Sequence, residues 1–499
     1  MARTHSRGGD LVNAILLSAL TVGVGLLGQD PTEDDYYRIV PLPIPEALVL
    51  EVSGITLLED GRPLVCNRRG EVFVVENAYD DPAEHVLFHK FAEGLQEPLG
   101  LLRQGDWIYL AQRGELTRMR DVDGDDRADE FETICDTWRV SGNYHEYNFG
   151  PTLGPEGNFW ITTNKPFGDQ PFGAVPWRGF AMRITPEGEM IPTVCGLRSP
   201  SGVEASPWGD VFYTDNQGEW CGASKLSLLK PGSFQGHPHG IGSCEQDLWP
   251  YEHPGEIPNR VLMPEVSKQV PSFQMPSVWF PRDKMGRAPA GFVWDTTEGA
   301  FGPFAGQVFV TDQYEASVMR VSLEKVQGHW QGACYPFRRR LGTGALRLQW
   351  APDGSLIMGG TDRGWQSLGT NGRGFGLERI VWTGEMPFEL LEMSARPQGF
   401  HLTFTEAVDP ESALDPESYG LSSFTYILHS TYGSPEVENE TLSITSCTLG
   451  DDGRSVELTV EGLRAGWLHE LHLDGVRSAS GAPVLHPRAY YTLAFRPED

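Results

Sequence analysis

A lone histidine, two arginines and a run of aspartates are the residues in this 499-residue chain whose types and spacing could do chemistry. His145 stands in NYHEYNFGP, just before a strand-like stretch, where an imidazole could take a proton near neutral pH. Arg198 in GLRSPSG and Arg287 in GRAPAG occupy the same point of two later stretches and could hold carboxylates by paired hydrogen bonds. Asn164, Asp215, Asn216, Asp312 and Asp362 close short apolar runs as polar ends. Brought into one funnel, these groups would bind a polar or anionic ligand. The plainer reading of a single histidine in a β-rich chain is a hydrogen-bonded structural residue.

The aspartates form a second signal. Asp121, Asp123, Asp125, Asp129 and Glu132 fall at positions 1, 3, 5, 9 and 12 of a twelve-residue loop, a spacing that wraps oxygens around a hard cation such as calcium. Asp126 replaces the glycine usual at position 6, which strains that turn. The expected role is to rigidify a long loop; a solvated acidic turn is the alternative. His237-Pro-His239 is a weaker metal candidate.

What must position these groups is a repeat. A turn glycine followed by about four strand residues and a polar end recurs at Gly61, Gly105, Gly157, Gly209, Gly306 and Gly354, with a period of about 50 residues. That period predicts an all-β fold: a six-bladed β-propeller over residues 50–385, each blade a four-stranded sheet unable to bury its faces alone. The one long gap is read as an insertion at about 220–285 rather than a seventh blade. The segments that begin inner strands, His145, Arg198 and Arg287 among them, should converge on the axis, with the polar strand ends on the same mouth. Residues 386–499 alternate apolar and polar side chains between turn signals and are read as a separate immunoglobulin-like β-sandwich.

Bulk properties agree. The 58 glycines and 37 prolines suit a turn-dense β architecture, and 39 basic against 68 acidic residues give a net charge of −29, unfavourable for nucleic acid or anionic membranes. Residues 1–28 carry Arg3 and Arg7 ahead of an apolar run, the order of a signal peptide, followed by an N-terminal linker at 29–49. A secreted or periplasmic location follows, with no membrane insertion after cleavage. Seven scattered cysteines make no disulfide framework; Cys221 and Cys244 are the pair to test first.

The histidine before GPxGNxW, GLRSPSGVEASPWGDVFYTDN and APAGFVWDTTEGAFGPFAGQVFVTDQ together resemble the glucose/sorbosone dehydrogenase family of soluble quinoproteins over about residues 50–385. YHEYNFGP, LKPGSFQGHP, WAPDGSLIMGGTDRGW and LHELHLDGVRS are similar to a secreted planctomycete-type subgroup with the same carboxyl-terminal sandwich. The resemblance implies pyrroloquinoline quinone and calcium as cofactors and a carbohydrate or related alcohol as substrate, with an external electron acceptor. It implies His145 as base and Arg198 as charge stabiliser, with Arg198, Arg287 and Arg363 as the cations available to a tricarboxylate cofactor. Trp220 and Trp365 would offer stacking faces, though each is as readily a packing residue. Two other classes stay open: a propeller that binds carbohydrate or protein without catalysis, and a metal-dependent glycoside lyase or hydrolase.

Overall fold

The structure, a computed structural model, describes residues 31–168, 175–362 and 366–498. The segment read as a signal peptide, together with Arg363 and Trp365, lies outside the described residues. Among the described residues no helix is long and apolar enough to cross a membrane.

Residues 37–382 build six antiparallel four-stranded units, in chain order except for the edge strand of the last. The first holds Val52–Leu57, Pro63–Asn67, Val72–Glu76 and Leu87–Ala92. The second holds Leu102–Gln104, Trp107–Ala111, Leu116–Arg120 and Glu130–Cys135, and the third Asn148–Leu153, Phe159–Thr163, Phe180–Ile184 and Met190–Cys195. Pro200–Ala205, Val211–Asp215, Ser224–Leu228 and Val278–Phe280 form the fourth, and Pro289–Trp294, Val308–Asp312, Ser317–Val326 and His329–Arg338 the fifth. Ala345–Trp350, Leu356–Thr361 and Phe375–Trp382 form the sixth, whose outer edge is Tyr37–Pro41.

The second strands are runs of β-branched and aromatic residues, VFYTD and VFVTD for example, buried along their whole length between neighbouring sheets. The six repeat glycines all have positive φ, between 61° and 90°, which is why the sequence keeps glycine in those turns. First strands of successive sheets touch one another and close into a ring. Glycine permits that approach: a Cβ at position 202 would lie 2.3 Å from the Ala290 carbonyl oxygen, and one at 100 would lie 2.4 Å from that of Gly150.

Three parts differ from the sequence reading. Residues 29–49 are not simply a linker, because Tyr37–Pro41 pairs with Phe375–Trp382 and locks the last sheet to the start of the chain; five residues are too few to show a period. The stretch at 220–285 supplies two strands of the fourth sheet, and the true excursion runs between them. The residues after 386 fold around their own core, with Phe388, Leu402, Val456 and Leu471 buried, but not separately. Arg488–Leu493 pairs with His329–Arg338, which extends the fifth sheet to eight strands. Of the cysteine pair, Cys221 donates its thiol to the Ala223 carbonyl, while the Cys244 thiol lies against Cys195.

Candidate functional site

The first strands begin at one end of the ring, and there a cavity of about 940 Å³ opens, lined from every sheet. His145 sits on its wall, 5 % exposed, just ahead of the third inner strand. The Nδ1 atom lies 2.7 Å from the Lys165 carbonyl oxygen, which can only accept, so Nδ1 carries the hydrogen. Burial, reinforced by nearby Arg198 and Lys165, lowers its pKa to about 3, so the ring is neutral and Nε2 holds a lone pair. The Ser199 hydroxyl, 3.1 Å away, donates to that lone pair. Asn164 Nδ2 donates in turn to Ser199 Oγ at 3.4 Å, and the imidazole stacks on Phe167 with centroids 3.4 Å apart.

Beside the histidine, the carboxamide oxygens of Asn164 and Asn216 are buried without a hydrogen-bond partner among the described residues. Both residues line the cavity, and each oxygen is an acceptor that no donor among the described residues satisfies. The Tyr144 ring stands 65 % exposed at the rim, a surface on which a sugar ring could lie.

The first two sheets contribute Arg68, Arg69 and Arg113 to the same wall, and Arg113 donates to the carbonyls of Asn143 and Tyr144, just ahead of the histidine. Glu97 answers two of them, one oxygen to Arg68 at 2.7 Å and the other to Arg113 Nε at 3.0 Å. Both guanidiniums lean over the Tyr147 ring, 5.9 and 5.6 Å from its centroid. Arg69 is exposed and has no ion pair among the described residues. At the floor Arg347 donates to the carbonyls of Ser53, Leu99, Ser201 and Leu346, clasping four inner segments at the axis. Burial lowers its pKa to about 10, so it remains a cation at neutral pH.

Several expected site residues lie elsewhere. Arg198 is buried behind Phe167, paired with Glu219 at 3.0 Å, and does not line the cavity. Arg287 pairs with Asp283 and Glu315 beside Tyr314 and does not line it either. Asp215 accepts the amides of Arg198 and Ser199, Asp312 those of Arg287 and Ala288, and Asp362 that of Gly344. One device thus recurs in three sheets: the aspartate ending the second strand ties down the entry to the first. Committed to amides, Asp215 and Asp312 do not line the cavity, whereas the residues after them, Asn216 and Gln313, do. Trp220 packs against the main core, its amide donating to the His429 carbonyl.

Of the acidic loop, Asp121, Asp123 and Asp129 bring carboxylate oxygens within 4.8 Å of one another. Asp125 is not in that group, and Glu132 lies in a strand, paired with Arg118. Asp126 meets Arg62, which sits in the turn between the first and second strands of the first sheet. The loop is therefore at the opposite end of the sheets from the cavity.

The cavity arginines were legible by a rule applied too narrowly. Arg68 and Arg69 follow Asn67, and Arg113 follows Gln112, at the second-strand ends of the first two repeats. Those positions correspond to Asn164 and Asn216. Arg347 had only the weak signal of one cation inside ALRLQW.

Residues 66–239 match a domain of unknown function, DUF7133. No curated protein matches the chain. Among solved structures it is similar to a putative oxidoreductase (glucose dehydrogenase) of Thermus thermophilus, at 18 % identity over 69 % of this chain and 100 % of that one, TM-score 0.46. It is likewise similar to the PQQ-bound aldose sugar dehydrogenase of Streptomyces coelicolor, at 15 % identity over 71 % and 100 %, TM-score 0.48. The PQQ domain of Coprinopsis cinerea pyranose dehydrogenase is similar at 12 % identity over 69 % and 95 %, TM-score 0.49.

Proposed function

We propose that this chain is an exported quinone-dependent oxidoreductase acting on a sugar or related alcohol. Its fold would be a six-bladed β-propeller carrying an immunoglobulin-like sandwich, and its site the cavity at the mouth of the ring. The observation that carries the reading is the polarity of that cavity. A neutral imidazole, His145, and two amide oxygens without a partner among the described residues, Asn164 and Asn216, share one cavity with three guanidiniums, Arg68, Arg69 and Arg113.

The neutral imidazole and the carboxamides fit an alcohol. Nε2 of His145 can accept the proton of a carbinol hydroxyl in place of the Ser199 hydrogen, while Asn164 and Asn216 hold neighbouring hydroxyls. Phe167 and the surrounding burial keep the imidazole unprotonated and water away from it. The guanidiniums fit a polycarboxylate such as pyrroloquinoline quinone: Arg69 has no ion pair among the described residues, and Arg68 and Arg113 share a single carboxylate. A bound quinone would supply the hydride acceptor. Arg68, Arg69 and Arg113 would hold its carboxylates, and Arg347 would add a positive floor.

A non-catalytic carbohydrate binder would need Tyr144 and the asparagines but not the guanidinium wall. A metal-dependent lyase or hydrolase would need its cation beside His145, and the acidic loop is at the far end. Calcium belongs to this reading only as a rigidifying ion at Asp121, Asp123 and Asp129.

The test is dye reduction by the purified chain with quinone, calcium and a panel of aldoses and polyols. Quinone-dependent turnover that His145→Ala abolishes is the expected result. Saturable sugar binding with no quinone binding in calorimetry would replace it with the binder.

A further inference from the structure

The carbonyl that orients His145 belongs to Lys165, and Lys165 is itself held from a distance. Its amide donates to the Arg198 carbonyl at 3.2 Å, and its buried ammonium is ion-paired with Glu219. Glu219 also receives Arg198 Nη2 at 3.0 Å and has His237 Nε2 3.8 Å away. Two cations thus share this one carboxylate, whose pKa is held far below the ordinary carboxylate range: burial would raise it, but His237, Arg198 and Lys165 outweigh that.

The segment bearing Glu219 is fastened in turn by the part of the chain beyond residue 386. Glu219 and Tyr432 form an antiparallel bridge, the Trp220 amide donates to the His429 carbonyl at 2.8 Å, and the Gly433 amide donates to that of Gly218 at 3.0 Å. The Tyr432 ring lies over the Arg198 guanidinium, 5.3 Å from ring centroid to Cζ. Glycine is required on both sides of this clamp. A Cβ at Gly218 would fall 1.9 Å from Arg198 Cζ, and one at Gly433 would fall 2.8 Å from Gln217 Nε2 at a φ of +62°.

We infer that Glu219, clamped by the loop that carries Tyr432, is the positioning residue of His145: it fixes Lys165, whose carbonyl holds the imidazole in its Nδ1–H form. The inference rests on His145 being the proton acceptor of the proposed reaction. It makes the carboxyl-terminal sheets part of the site's support rather than an appended module. The coupling runs through contiguous contacts, Tyr432 to Arg198 and Glu219, Glu219 to Lys165, and Lys165 to His145.

The experiment reads the histidine directly. In protein carrying ¹⁵N-labelled histidine and free of quinone, the His145 ring nitrogens of the wild type should report a single Nδ1–H tautomer. In Glu219→Gln and Tyr432→Ala they should report a mixture, and in Tyr432→Phe, which keeps the ring over Arg198, the wild-type pattern. Tyr432 is 52 % exposed, so its variants test the clamp even if Glu219→Gln does not fold. With quinone loaded, Tyr432→Ala should lower kcat about 10- to 100-fold with KM little changed. An unaltered tautomer in folded Tyr432→Ala overturns the inference, whatever the activity. Altered tautomers in a chain that binds no quinone would leave it standing and remove the cofactor reading instead.

Discussion

The imidazole of His145 lies flat against the ring of Phe167, planes 13° apart and centroids 3.4 Å apart, while the guanidinium of Arg198 approaches the same ring at 5.0 Å. Phe167 therefore stands between a neutral base and a fixed cation. Replacing it with leucine leaves a smaller side chain over the imidazole and admits water, and the relief of burial favours the protonated ring. In Phe167→Leu the His145 pKa should climb from about 3 toward the ordinary value of about 6.5, followed by NMR titration. The acidic limb of the kcat/KM profile should move up in pH with it.

Arg69 offers the cleanest test of the guanidiniums, because it is exposed and has no ion pair among the described residues. Arg69→Gln should leave the melting temperature within about 1 °C of wild type, as expected of an exposed side chain away from packing. Quinone affinity should fall about 10-fold or more, since a hydrogen bond to a charged group contributes about 1.5–3 kcal/mol. Calorimetry at two salt concentrations checks it, the variant losing part of the salt dependence of the wild type.

How far the site could be read in advance depended on whether chemistry and backbone pointed the same way. His145 was visible because a histidine at the entry to a first strand faces the axis by topology alone. Arg198 and Arg287 stand at the same kind of entry, yet their side chains turn outward to Glu219 and to Asp283 with Glu315. Strand position fixes where the backbone runs and leaves a long side chain free to find its carboxylate, and those carboxylates come from loops distant in sequence or unpatterned. Tyr37–Pro41 illustrates the same limit for the fold, since its partner strand lies more than three hundred residues away.

At the acidic loop, the geometry predicts an ion that matters to the loop and not to the cavity. Calcium should raise the melting temperature of the wild type and protect residues 121–129 from proteolysis, and Asp121→Asn should abolish both effects. Quinone and sugar binding should be the same with and without chelator. A chelator that empties the cavity of quinone would place a cation there instead.

Arg347 should prove indispensable to the ring. Its guanidinium serves four backbone carbonyls from four separate segments, and methionine would leave them buried without a donor. Arg347→Met should therefore lose at least about 3 kcal/mol in urea unfolding. Arg347→Lys should rescue little of it, because one ammonium cannot span the geometry that a planar fork reaches.

The histidines predict opposite pH dependences in two parts of the molecule. His145 and His237, each lowered to about 3 mainly by burial, titrate nearer 6.5 when unfolded. Their contribution is present above pH 6.5 and is lost as the pH falls toward 3. His486 behaves in reverse. Burial lowers its pKa, but Glu389 at 2.5 Å and Glu33 at 3.1 Å outweigh that and raise it to about 9. Its contribution is complete below 6.5 and disappears as the pH rises through 9. For Glu33 burial acts upward, yet His486, Arg339 and Arg338 bring it down to about 2, so its share is complete above about 4.5 and lost as the pH falls through 2. The tie between the N-terminal segment and the carboxyl-terminal sheets is therefore strongest between about pH 4.5 and 6.5. His486→Gln should cost about 1–3 kcal/mol at pH 6 and clearly less at pH 10, measured by urea unfolding at both. A constant difference across that range would mean that the imidazole is held there neutral, by packing and not by its two carboxylates.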